Sequence, residues 1–239
     1  MSTVTDAALQ SAVLEDLVEA VNYRQWLVDL TLPYLGDDPL EVGSGLGDYA
    51  ADWRTSGAPR FTVSEADPSR LAVLRERFAG DPAVTVTELA VPVSGAGTHS
   101  AVVACNVLEH LADDAAALAG FAGLLRPGGR VVLVVPAFPV AMSRFDRAIG
   151  HHRRYRKAGL RRLAEEAGLQ VEVLRHVNAI GLLGWLVAVR LLRGRPRAGL
   201  LLTVFDRGVV PWLRRVEARW EPPFGQSLLL VARRLASTG

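Results

Sequence analysis

The chain has 239 residues, a length that suits one domain of roughly 150–250 residues with its own buried core. Half of it is hydrophobic, and the single cysteine, Cys105, excludes a disulfide framework and a Cys-based zinc cluster and fits a reducing cytosol. The net charge of +2 conceals a split: residues 1–120 carry 18 acidic and 6 basic side chains, residues 121–239 carry 7 and 21. Such a split raises nucleic acid or a membrane surface as partners to be tested against the motifs.

Residues 6–35 read as one or two amphipathic helices, with Leu14, Leu17, Val18 and Val21 at helical spacing and Tyr23, Trp26 and Leu30 continuing. Pro33 and the Gly36-Asp37-Asp38-Pro39 cluster end that segment. Met1 to Leu9 lacks a basic residue followed by an apolar core, so no signal peptide is expected. Short apolar runs then alternate with helical patterns. Strands are expected at Leu40–Val42, Arg60–Ser64, Val84–Thr87, Ala101–Cys105 and Arg130–Val135, with helices at Asp48–Arg54, Pro68–Phe78 and Asp113–Leu125 and a turn at Arg126–Gly129. A helix at Lys157–Ala167, a strand at Gln170–His176, an apolar region over 179–213 and a last strand at Ser227–Arg233 follow. The alternation implies βαβ units: a doubly wound α/β domain with a mostly parallel sheet, binding ligands at the carboxyl ends of its strands. The most apolar run, Ala179–Val189, is well short of the roughly 20 residues a membrane-spanning helix needs.

The turn Glu41-Val42-Gly43-Ser44-Gly45-Leu46-Gly47 follows the first strand and precedes a helix. Its glycines let the backbone approach a ligand closely, and its position suits a nucleotide. A dinucleotide fingerprint would place glycine at position 48, where Asp48 stands, and the Gly-Lys-Ser/Thr of a phosphate loop is absent. An acidic residue before the glycines repels a pyrophosphate but suits a ligand bearing an ammonium group. Glu65 ends the second strand, where a carboxylate can accept both hydroxyls of a ribose. Asp67-Pro68 reads instead as a helix N-cap with a first-turn proline.

Four segments together resemble the class I S-adenosylmethionine-dependent methyltransferases, in their small-molecule, bacterial branch: LEVGSGLG (40–47), VSEADPSRL (63–71), CNVLEHLADD (105–114) and LLRPGGRVVLVVPA (124–137). The resemblance covers most of the chain. It implies a Rossmann-like, seven-stranded sheet and S-adenosylmethionine as cofactor, with S-adenosylhomocysteine as product. Glu41, Gly43, Ser44, Gly45 and Gly47 would hold the methionine moiety, Glu65 and Ala66 the ribose side, and Asn106 and Val107 would border the sulfonium. Glu109-His110 matches an element of the small-molecule branch, and it also reads as a helix-start hydrogen-bond pair. The aspartate that the family often carries after the third strand is missing here; either Glu88 or the backbone around Leu89 and Ala90 reads the adenine. The expected layout is one domain: an N-terminal helical cap (1–38), a cofactor-binding core (39–176), a hydrophobic insertion (177–224) and a final strand (225–239).

Methyl transfer requires positioning above all, and a base only where the nucleophile arrives protonated. The loop Ser143–Arg156 holds two of the five histidines among five arginines and a tyrosine. His151, His152 and Tyr155 are the candidate catalytic groups, with His110, Arg153 and Arg154 as acceptor contacts. The alternative is a solvated basic loop whose arginines bridge to the acidic half. Tyr23 and Trp26 form either a lid on the acceptor or part of the core. The 177–224 insertion could cover the pocket, pair two subunits, or lie on an anionic membrane surface. After strand four stands Asn106-Val107-Leu108-Glu109, without the aromatic that stacks a flipped base, and no aromatic-interleaved basic platform is present, so a nucleic-acid partner is not expected. The expectation is therefore a cytoplasmic methyltransferase, without a metal, acting on an O, N or C nucleophile of a small, anionic, partly hydrophobic acceptor, as in secondary metabolism. A lipid-linked or saccharide acceptor at the membrane surface and a non-catalytic binding protein on the same fold are the alternatives.

Overall fold

The computed structural model describes residues 20–95, 97–187 and 200–235. The expected helical pattern at Leu14, Leu17 and Val18, the arginines at 190 and 193 and residues 236–239 lie outside the described residues.

Each strand–helix joint follows from local chemistry. β1 (Pro39–Val42) is buried along its length and runs into the glycine turn. Gly47, at φ 83°, caps α2 (Asp48–Thr55), which carries Asp48 in its first turn and Arg54 in its last, as the helix dipole favours. α1 (Val21–Thr31) precedes both. After β2 (Phe61–Glu65), the Asp67 carboxylate accepts from Ser69 N and Arg70 N, and Pro68 opens α3 (Pro68–Phe78) as its sequence foretells. β3 (Val84–Glu88), β4 (His99–Cys105) and α4 (Asp114–Leu124), the last capped by Asp113, lead into β5 (Leu125–Pro136).

The sequence places a turn at Arg126–Gly129. The structure places these residues inside β5: Leu125 pairs with His99, the register shifts, and pairing resumes at Arg130 with Ala101. Gly128 takes φ 78°, the left-handed value such an irregularity requires. Short α5 (Arg144–Ala148), unanticipated, is followed by α6 (Lys157–Glu166) and β6 (Leu169–Val177). The described residues of the 177–224 region form α7 (Ala179–Leu186), α8 (Leu200–Val204), a π turn at Phe205–Val209 and α9 (Val210–Glu217), before β7 (Ser227–Arg234).

Among the described residues the strands form one sheet of order β3-β2-β1-β4-β5-β7-β6, parallel except for β7. The order reverses between β1 and β4, which opens a crevice at their carboxyl ends. Val131–Val135 reads as an unbroken apolar run because both faces are covered: Val131, Leu133 and Val135 pack with Phe121 and Leu160, while Val132 and Val134 pack with Trp26, Trp53 and Phe61.

Two buried carboxylates tie the C-terminal helices to the rest. Asp206 accepts from Asn22 N and Tyr23 N, supplying from 184 residues away the cap that Ala20 cannot give α1. Glu217 does the same for α7, accepting from Asn178 N and Ala179 N at 3.1 and 2.9 Å. Arg126–Asp37, Arg153–Asp114 and Arg214–Asp29 ion pairs join the basic half to the acidic half. No helix among the described residues is long and apolar enough to cross a membrane.

Candidate active site

The functional edge of the sheet collects the turn after β1, Glu65 at the end of β2, Asn106 after β4 and Ala137 after β5. Because β7 runs antiparallel, its start at Ser227 and the Asn178 that follows β6 lie there too, opposite Pro136.

Gly43, Gly45 and Gly47 take φ 69°, 58° and 83°. A Cβ on Gly43 would stand 2.8 Å from Val107 Cγ2, so the turn is pressed against the segment that leaves β4. Ser44 N donates to Ser64 O at 2.8 Å and Ser44 Oγ accepts from Ser64 N at 3.1 Å, which locks the turn to β2. Glu41 is buried at the root of the turn and its Oε2 has no hydrogen-bond partner. Burial, reinforced by the nearby Glu65 charge, pushes its carboxyl up to about 8.

Glu65 accepts Ala66 N and Asp67 N on Oε1 and Gly45 N on Oε2, at 2.9, 3.1 and 3.0 Å. A carboxylate offers about four accepting sites, so one remains on Oε2 for a ribose hydroxyl; a bidentate ribose contact requires the Gly45 bond to open. Leu89 N donates to the Glu65 carbonyl at 3.3 Å and continues the strand ladder, while Glu88 is exposed at the end of β3. Asn106 sits at φ 54°, its N–H donated to Val134 O at 2.8 Å.

These residues fit S-adenosylmethionine. Glu41 Oε2 is an orphaned buried acceptor that a ligand ammonium satisfies, and the glycine backbone has no side chains to obstruct a close approach.

Tyr23 and Trp26 divide. Trp26 is core, packed with Trp53 and Phe61, whereas the half-buried Tyr23 carries its hydroxyl to within 3.3 Å of Ser227 Oγ at the functional edge. Burial raises the Tyr23, Tyr49 and Cys105 acids above their ordinary values, with the Cys105 charge adding to the rise at both tyrosines and the Glu41 and Glu109 charges to that at Cys105.

A second cluster lies just beyond. Glu109 and His110 occupy the 3-10 turn Leu108–His110, onto which His152 N docks by donating to Glu109 O at 2.8 Å. His151 Nε2 is 3.8 Å from Glu109 Oε1, its Nδ1 is 3.3 Å from Asp146 Oδ1, and its ring meets that of His110 edge-on at 4.6 Å. Burial pushes Glu109 up to about 8 and His110 down to about 4. Burial opposes ionisation of Asp146 as well, but hydrogen bonds from His151 and Arg154 prevail and hold it below the usual carboxylate range.

Arg154 is buried, paired with Asp146 at 2.7 Å, and lies under the Trp185 ring at 4.8 Å. Arg153 pairs with Asp114 at 2.5 Å. The Tyr155 hydroxyl lies 3.0 Å from Asp114 Oδ2 and 3.3 Å from Leu108 O, and burial beside the Asp114 charge raises its acid strongly. His152 is exposed. Sequence reasoning passed over Asp146, although Ser143-x-x-Asp146 has capping-box spacing: Ser143 Oγ accepts Asp146 N, and Asp146 Oδ2 accepts Ser143 N.

The methyltransferase-domain family matches residues 40–131. No curated protein matches the chain. Its fold is similar to that of the Haloferax volcanii methyltransferase complexed with the Trm112 activator (TM-score 0.67, 16% identity, all of both chains). It is similar also to a geranyl diphosphate methyltransferase solved with S-adenosylmethionine (TM-score 0.61, 15% identity, 88% of this chain and 85% of that one). A third likeness is to an S-adenosylmethionine-dependent methyltransferase of Mesorhizobium loti (TM-score 0.59, 17% identity, 87% and 96%). Residues 40–131 thus match the methyltransferase-domain family, and they are set in a fold similar to that of S-adenosylmethionine-dependent methyltransferases.

Proposed function

We propose that the protein methylates an O, N or C nucleophile of a small, partly hydrophobic acceptor that carries an anionic group. S-adenosylmethionine supplies an activated methyl on a sulfonium. This chain's residues bind and orient: Glu41 and the Gly43–Gly47 turn take the methionine end, Glu65 and Ala66 the ribose, Leu89 the adenine side, and Asn106 and Val107 border the reacting centre. The observation that carries the reading is the cluster of buried Glu109 with half-buried His110 and His151, two residues past Val107 and braced by Asp146, which offers the acceptor polar contacts beside that centre. Exposed Arg144, Arg147 and Arg156 around the loop supply the positive field an anionic acceptor needs. Arg153 and Arg154 frame the loop through Asp114 and Asp146, and Tyr155 anchors it. Trp185 of the insertion, stacked over Arg154 and donating to Ala141 O, supports a covering role for α7, and Tyr23 supplies an apolar wall on the other side.

The test is incubation with methyl-labelled S-adenosylmethionine and pools of acidic small molecules, neutral small molecules, lipid-linked saccharides and RNA. Label in the acidic small-molecule pool is expected; label confined to RNA or to neutral compounds refutes the reading. A lipid-linked acceptor at the membrane surface is a second reading, favoured by exposed Leu183, Val187, Val204 and Trp212 on the insertion helices. Label in the lipid-linked pool, with flotation on anionic vesicles, would select it.

A further inference from the structure

The second cluster contains more unpaired acceptors than a proton can satisfy. Glu109 has 0% exposure, and neither of its carboxylate oxygens has a hydrogen-bond partner. His110 Nδ1 is also buried without one, while His151 Nδ1 meets only Asp146 Oδ1 at 3.3 Å. Leaving a carboxylate buried and unbonded costs several kcal/mol, so these groups require an occupant. An ion pair between His151 and Glu109 at 3.8 Å would still leave the other Glu109 oxygen and His110 Nδ1 bare. One ligand atom from each of Glu109, His110 and His151 lies within 4.8 Å of the others. Ligands about 2.1 Å from a tetrahedral ion stand about 3.4 Å apart, so closure draws these atoms together by up to about 1.4 Å, a movement that side-chain rotation supplies.

The surroundings are those of a metal centre. His151 presents Nε2 to Glu109 while its Nδ1 faces Asp146 Oδ1 at 3.3 Å, the carboxylate–histidine arrangement that orients a ligating imidazole. Asp146 is itself fixed by Ser143 N, Ser143 Oγ and Arg154 Nη2. His110 Nδ1 is buried and unengaged. Two imidazoles and one carboxylate suit zinc and its late first-row neighbours; magnesium and calcium prefer an all-oxygen shell. Three protein ligands leave a coordination position for a substrate.

We propose that Glu109, His110 and His151 bind one divalent cation of the zinc type, with Asp146 as its outer partner. The site stands on this geometry alone. Its use, receiving an oxygen of the acceptor, rests on the function proposed above.

The test uses untagged full-length protein stripped with a chelator and titrated by calorimetry with Zn2+ alone, then with Co2+ alone followed by its visible ligand-field absorption. One equivalent is expected to bind, with a tetrahedral cobalt spectrum. Glu109→Gln, His110→Ala and His151→Ala should each weaken binding by at least about 100-fold, and Asp146→Asn by about 10- to 100-fold. S-adenosylhomocysteine affinity, measured on the same samples, reports whether each variant is folded. Absence of stoichiometric binding by the wild-type protein, or binding unchanged in folded His110→Ala and His151→Ala, overturns the site. Because cofactor binding is read separately, loss of the metal site and failure of the methyltransferase reading give different results.

Discussion

Glu41→Gln isolates the electrostatic logic of the proposed cofactor site. The carboxyl is buried with one orphaned oxygen, and burial moves it from the usual 4.5 to about 8. For an acid raised in this way, the folded chain holds a proton that the unfolded chain has released. Its stabilising contribution is fully present below pH 4.5, falls as the pH rises, and is gone above about pH 8. The cumulative loss is about 3 kcal/mol at pH 7 and about 5 kcal/mol by pH 8.5. Glutamine does not titrate. Ligand-free Glu41→Gln should therefore match the wild type in denaturant unfolding near pH 5 and exceed it by about 3–5 kcal/mol near pH 8. The ordering reverses for ligand binding, where a cationic ammonium wants the ionised carboxylate. Loss of that charge-assisted bond, worth about 1.5–3 kcal/mol, should weaken S-adenosylhomocysteine binding by about 10- to 150-fold. Calorimetry at pH 7 in buffers of different ionisation enthalpy should register about one proton released by the wild type and none by the variant. Equal pH dependence of stability in the two proteins, or equal affinity, would refute the reasoning.

Gly43→Ala puts a Cβ 2.8 Å from Val107 Cγ2 at φ 69°, and should cost about 1–3 kcal/mol in chemical denaturation while also weakening cofactor binding. Asp206→Ala strips the cap from α1 and should destabilise the fold by about 2–3 kcal/mol, with amide exchange rising first at Asn22 and Tyr23. Tyr155→Phe removes a hydroxyl bonded to Asp114 and should cost about 1 kcal/mol with little change in turnover; a loss of about 100-fold in rate at near-normal stability would place that hydroxyl among the reacting atoms.

The parts of the fold that sequence made legible are those governed by neighbours in the chain. Asp67-Pro68 marks a helix start because the cap and its targets lie within three residues. The β1 turn is legible because its glycines need left-handed backbone, as their φ values confirm. Both-sided burial writes the central strands as apolar runs, as in Val131–Val135. What stayed hidden was long-range. Nothing near Asp206 signals that it caps a helix 184 residues away, and the Arg126–Gly129 segment has the composition of a turn while the ladder on either side draws it into β5. Likewise, Asp146 reads as a surface charge in an arginine-rich loop until folding buries it behind His151 and Arg154. The charge split has a structural component as well: Arg126, Arg153 and Arg214 bridge to acidic partners in the first half of the chain.

The central claim is that the glycine turn and the carboxylates of β1 and β2 form the cofactor site. Calorimetric titration of S-adenosylhomocysteine into the wild type and Glu65→Ala tests it most directly. One site on the wild type is expected, with affinity reduced about 100-fold or more in the variant as the ribose acceptor and the Gly45 tether are lost together. A wild-type protein that does not bind, or a folded Glu65→Ala that binds equally well, would contradict the account.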